Sequence, residues 1–147
     1  MDSLQNPATL QQFIFRINML TPDSQRRWGK MNVSQMLAHC SNALEVNLGD
    51  KVRKQHLMGK LLGRMAKKNI VSETPFKQGL PTDPTFIVTD HRDFEHEKKR
   101  LLALLTRFST GQAKDDSIHP FFGKMTSDEW NTLNYKHLDH HLRQFGV

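Results

Sequence analysis

TSDEWNTLNYKHLDHHLRQF, residues Thr126 to Phe145, reads as one long amphipathic helix with both ends marked. Thr126 and Glu129 have the spacing of a capping box, in which the threonine takes the N3 backbone N–H and the glutamate reaches back to the cap. Asp128 and Glu129 put negative charge in the first turn, where the helix dipole favours it; Arg143 stands in the last turn and Gly146 suits the C′ position. At 100° per residue, His137 and His141 lie about 40° apart, one turn from each other on one face. Trp130 falls between them in angle, and Phe145 lies about 40° beyond His141. Both imidazoles therefore share the apolar stripe that should face a core. His140 lies about 60° off His137 on the other side and points away from their midline, which makes it only an alternative ligand. A His-x-x-x-His pair on one face can close on a single metal ion, but it is a two-ligand fragment and needs at least one more ligand from elsewhere in the chain.

The search for that ligand leads back along the sequence. A first helix over residues 6–20 has Asn6 as N-cap, Pro7 at N1, and Leu10, Phe13, Ile14, Ile17 and Leu20 at helical spacing. A second helix over 32–48 is capped by Asn32 with Gln35 at N3 and ends at Gly49. On it, His39 lies about 40° from Ala43 and about 20° from Val46, so it points at least partly inward and is the candidate third ligand. Residues 51–68 carry Lys51, Arg53, Lys54, Lys60, Arg64, Lys67 and Lys68 with no acid, and Leu57, Met58, Leu61, Leu62 and Met65 at helical spacing. They read as a basic amphipathic helix that packs on the bundle or on a partner and turns its charges to solvent. Residues 72–89 hold three prolines and a glycine and read as an extended crossover loop, a natural lid; at most, Thr85–Thr89 could form a short strand. A further helix over 90–108 and a polar connection over 109–117 precede His119-Pro120-Phe121-Phe122-Gly123. His119 reads as a loop residue able to approach a site at the start of the last helix. The expected fold is all-α: a four-helix bundle with a long crossover, a basic accessory helix, and no convincing strand.

Length and composition narrow the function. A chain of 147 residues fits one domain over 1–147. A formal charge of +6 permits anionic partners, yet the basic stretch lacks the interleaved aromatics of a single-strand binder, so a nucleic-acid role is not expected. The single cysteine, Cys40, excludes an internal disulfide, and together with the absence of a leader pattern it suggests a cytoplasmic setting. No apolar run approaches the roughly 18 residues of a membrane span. Cys40 beside His39 does not make a nucleophile pair, because adjacent helical residues diverge by about 100°. Asp139 and Glu129 read as solvated or capping groups.

His39, His137 and His141 are thus the expected metal ligands. Imidazoles suit several transition metals, of which zinc or nickel is expected, and three protein ligands leave an open position, as in catalytic sites. Bound metal could activate water or a low-molecular-weight thiol toward a small-molecule substrate, as a hydrolase or an S-transferase does. Trp28, Phe121 and Trp130 are candidate pocket walls, with core packing their ordinary alternative. A rival reading is a non-catalytic stress or interaction protein whose basic helix, residues 51–68, meets an anionic partner.

Two stretches carry a resemblance. HPFFGKMTSDEWNTLNYKHLDHHLRQFGV, residues His119–Val147, and WGKMNVSQMLAHC, residues Trp28–Cys40, resemble patterns of the DinB-like, YfiT-type metalloenzyme superfamily. The resemblance implies a crossover bundle, a homodimer, and a divalent metal held by one histidine of the second helix and a His-x-x-x-His pair of the last. These positions fall on His39, His137 and His141. It also implies thiol chemistry, since better-known branches use mycothiol, bacillithiol or glutathione.

Overall fold

The computed structural model describes residues 3–114 and 117–147. Part of the expected polar connection, Asp115 and Asp116, lies outside the described residues. Among the described residues five α-helices form: α1 (Pro7–Met19), α2 (Val33–Leu48), α3 (Leu57–Ile70), α4 (Phe94–Ser109) and α5 (Ser127–Gln144). The only strands among the described residues are a two-residue antiparallel pair, β1 (Ile118–His119) with β2 (Gly123–Lys124), so the fold is all-α as its periodicity indicates. None of the described helices is long and apolar enough to cross a membrane.

The caps read from the sequence are in place. Asn6 accepts from the N–H groups of Ala8 and Thr9, and both capping boxes, Asn32/Gln35 and Thr126/Glu129, have their reciprocal bonds. Gly49 ends α2 with φ near 78°, a left-handed value that a side chain would resist.

Helices α1, α2, α4 and α5 pack together, with α2 central to the contacts. Their core joins Phe13 and Ile17 of α1, Met36, Leu37 and Leu44 of α2, Leu101, Leu105 and Phe108 of α4, and Leu138 and Leu142 of α5. A second, smaller cluster holds Val46, Phe86, Met125, Trp130 and Leu133. Burying these side chains supplies the main drive for folding. Polar ties then fix how the helices sit. Arg100 of α4 bonds Glu45 of α2 at 2.6 Å and Glu97 at 2.9 Å, while Lys51 reaches Glu45 at 2.6 Å. Between α2 and α5, the buried Asn134 side chain donates to Asn47 Oδ1 at 3.0 Å.

The structure corrects several boundaries and one orientation. Residues 51–56 are not helical; α3 begins only after His56, whose ring nitrogen accepts from the Gly59 N–H at 3.2 Å. Helix α4 begins at Phe94, because Asp93 rather than Asp90 supplies the cap, accepting from the His96 N–H. The possible strand at Thr85–Thr89 is instead led by a 3₁₀ turn, Pro84–Phe86, that Asp83 caps. His119 is not in an open loop: it forms β1 and is buried.

The orientation of α3 differs most from expectation. It meets the body of the protein through Gly59 and Gly63, where a Cβ at either position would overlap the Phe121 carbonyl oxygen. Only glycine allows that approach of helix to hairpin. The Leu and Met side chains therefore face outward, with Leu57, Leu61 and Met65 being 75%, 72% and 67% exposed.

The α2–α4 tie gives a stability prediction. Burial works to raise the Glu45 carboxyl, but hydrogen bonds and charge from Lys51 and Arg100 outweigh it and hold it below the ordinary carboxylate value. A depressed value contributes stability that is present above the unfolded pKa, about 4.3, and is lost as pH falls through the folded value. Arg100→Met should cost about 2 kcal/mol at neutral pH, because it leaves buried Glu97 with weaker pairing. Urea denaturation across pH 3–7 should show a flatter acid limb in the variant; an unchanged midpoint would contradict this account of the clasp.

Candidate metal centre

The bundle brings together three imidazoles. Helix α2 delivers His39, and successive turns of α5 deliver His137 and His141. The three ring centroids form a nearly regular triangle, each pair 4.7 Å apart. One ligand nitrogen from each ring lies within 4.8 Å of the others, so the three are close enough to hold a metal ion. His140 is not part of this group. Its ring turns toward Trp28, 5.6 Å away, and Phe76, 6.0 Å away.

The hydrogen bonds around the rings decide which nitrogens are available. His39 Nδ1 lies 2.8 Å from the Phe86 carbonyl oxygen. A carbonyl only accepts, so Nδ1 carries the proton and the Nε2 of neutral His39 keeps its lone pair. That Nε2 is 2.7 Å from His137 Nε2. His141 Nδ1 lies 2.8 Å from Gln144 Oε1. The Gln144 amide is oriented by its own nitrogen, which donates to the Trp28 carbonyl at 2.8 Å, so the oxygen faces the ring. His141 is therefore also protonated on Nδ1, with its lone pair on Nε2. Partners that fix the tautomer of a ligating histidine in this way are a regular feature of metal sites.

Electrostatics agree with neutral rings. Burial lowers the pKa of His39, against the bond to Phe86 that raises it. Burial, followed by the neighbouring imidazoles, sets His137 well below its ordinary value. Burial brings His141 to about 3. At neutral pH all three thus offer lone pairs, the form that binds metal.

One cavity touches the cluster and a second lies beside His140. The first is small, about 50 Å³, and is lined by His39, Phe86, His119, Trp130, Asn134 and His137 among others. The second is larger, about 470 Å³, and is lined by Trp28, Phe76, Tyr135, Lys136, Asp139 and Arg143 among others. Of the expected wall residues, Trp28 borders the larger space and Trp130 the smaller. Phe121 borders neither and sits beneath α3, its ring 5.6 Å from His56. The crossover loop reaches both cavities, with Phe76 at the larger and Phe86 at the smaller.

The remaining candidates have structural partners. Cys40 faces Met36, 3.8 Å from its sulfur, and burial pushes its thiol pKa up, so it is a core residue and no nucleophile. Asp139 pairs with Arg16 and Arg143, and Glu129 caps α5 and pairs with Lys67. Two supporting residues escaped the sequence reading. Gln144 stands three residues after His141, a spacing that could have flagged it. Phe86 acts through its backbone, for which no side-chain signal exists.

The fold and cluster define a helical bundle with three neutral histidines, two buried and one half-buried, gathered at one point. The chain belongs to the family described as Protein of unknown function (DUF1569), whose model matches residues 2–146. This is a distinct family, and it overturns the resemblance to the DinB-like superfamily: a His-x-x-x-His pair with an inward histidine on another helix is a short pattern that different helical bundles can carry. No curated protein and no solved structure matches the chain.

Proposed function

We propose that this chain, as a single cytoplasmic domain over 1–147, binds one divalent metal ion, zinc or nickel, through Nε2 of His39, His137 and His141 and acts as a hydrolase. The observation that carries the reading is the pair of Nδ1–H bonds, His39 to the Phe86 carbonyl and His141 to Gln144, which leave Nε2 lone pairs inside the triangle of rings. Without a metal, one shared hydrogen can join only two of the rings, as between His39 Nε2 and His137 Nε2 at 2.7 Å, whereas a cation satisfies all three at once. The donor set suits zinc or nickel. When bound, the metal supplies a Lewis acid that lowers the pKa of water.

The protein's own residues do the rest. Phe86 and Gln144 set the rings, the Asn47–Asn134 bond holds α2 against α5, and the buried surroundings limit access of bulk water. The small cavity has room for a water rather than for the body of a large thiol, which favours hydrolysis over thiol transfer. The larger cavity, whose wall includes Lys136, Arg143, Glu73 and Asp139, offers space for the remainder of a polar substrate.

One observation favours a second reading for a different face. The outward side of α3 shows Leu57, Met58, Leu61 and Met65 beside Lys60, Arg64 and Lys68. Two copies meeting through this face would bring like charges together, since no acid lies between 51 and 72. An anionic lipid surface satisfies both the apolar and the basic parts, as it does for interfacial helices.

Two measurements test these readings. Metal analysis after zinc loading should find about one equivalent in the wild type and none in folded His39→Ala or His137→Ala, while Gln144→Leu should weaken zinc binding about tenfold or more. A wild type that takes up no zinc, nickel or manganese would overturn the metal reading. Separately, sedimentation with phosphatidylserine-containing vesicles should pull down the wild type at low salt and leave Lys60→Glu/Arg64→Glu/Lys68→Glu in solution. Equal behaviour of the two proteins would dispose of the lipid face.

A further inference from the structure

The small cavity beside His39 and His137 has a second set of polar groups. Trp130 is 2% exposed, lines this cavity, and its indole Nε1–H is buried without an acceptor. A buried N–H left unpaired is rare in a folded protein and calls for a partner. His119 lines the same cavity, its ring 5.6 Å from that of Trp130. Its tautomer is fixed by the hairpin: Nδ1 accepts from the backbone N–H groups of Phe121 and Phe122, each at 3.1 Å. Neutral His119 therefore carries its proton on Nε2 and is a donor there. The ring is held in place by stacking on Phe122, with centroids 4.4 Å apart. Asn134, also on the wall, has its amide N–H engaged by Asn47.

The cavity thus places two fixed donors, on β1 and α5, beside two histidines whose Nε2 atoms face each other. Donors carried by residues that wall a small space can stabilise negative charge on an oxygen bound there, with little rearrangement. At about 50 Å³ the space admits a group of a few heavy atoms, such as a carboxylate, but not a large ligand.

We propose that Trp130 and His119 form a donor pair that receives the oxygen of a small carboxylate, or of a substrate carbonyl as it gains negative charge, in the cavity beside His39 and His137. The proposal rests on the metal reading above and adds to it the ligand class and the two residues that select it. It accounts for the unpartnered indole N–H, which core packing alone leaves unexplained.

Formate, the smallest carboxylate, is the probe. Zinc-loaded, ¹⁵N-labelled protein is titrated with sodium formate and the indole N–H resonances are followed, Trp130 being assigned by its loss in Trp130→Phe. The expected result is a saturable downfield shift of the Trp130 resonance, with formate binding about tenfold weaker in Trp130→Phe and in His119→Asn. Asparagine gives up the ring and its Nε2 donor but keeps an acceptor for the Phe121 and Phe122 N–H groups, so the hairpin is retained even if the tryptophan variant folds poorly. An indole resonance that does not move, or equal formate affinity in the wild type and the variants, would overturn the donor pair. Zinc content of the same samples separates the two readings: zinc bound with an unmoved indole removes this inference alone, and failure to take up zinc removes both.

Discussion

A neutral imidazole has one proton and two nitrogens, so a partner that accepts a hydrogen bond on one side dictates what the other side can do. The site depends on this constraint. The Phe86 carbonyl accepts a hydrogen bond from Nδ1–H of His39, and Gln144 Oε1 accepts one from Nδ1–H of His141. Each bond turns a lone pair inward. Burial keeps the rings neutral, because charging three imidazoles in one small volume costs both desolvation and mutual repulsion. The elements around the site can be understood as supports for these bonds. The 3₁₀ turn at Pro84–Phe86 brings one carbonyl to α2, and the segment before α2 brings the Trp28 carbonyl to the Gln144 amide.

The sequence made the helices and their caps legible because those signals are local. Asn6, Asn32 with Gln35, and Thr126 with Glu129 each act within a single turn. The helical angles of His137 and His141 and the inward position of His39 follow from the same geometry, and the structure gathers these rings. What escaped the reading depends on contacts between distant segments. Phe86 contributes through its backbone, so its identity carries no hint of the role. The hairpin at 118–124 has strands of two residues, too short for an alternating pattern to appear. The family was also misread: the resemblance rested on two stretches, 28–40 and 119–147, whereas the family model matches residues 2–146.

Helix α3 shows how an amphipathic pattern can mislead. Its hydrophobic stripe suggested packing on the bundle or on a partner; against the bundle, Gly59 and Gly63 on the opposite side permit a closer approach to the hairpin than any larger residue. Close backbone packing on the glycines competes with burial of the leucines and methionines, and the intervening hairpin decides the outcome. The same hairpin fixes His119, so the segment that turns α3 outward also sets one wall of the small cavity.

The most direct test of the central claim is the histidine ¹⁵N spectrum of the zinc-loaded protein, recorded through long-range couplings to the ring protons. The account predicts His39, His137 and His141 with zinc on Nε2, and with His39 and His141 protonated on Nδ1. His140 and His119 should show no zinc shift. Spectra in which the three rings are untouched by zinc, or in which His39 and His141 carry their protons on Nε2, would contradict it.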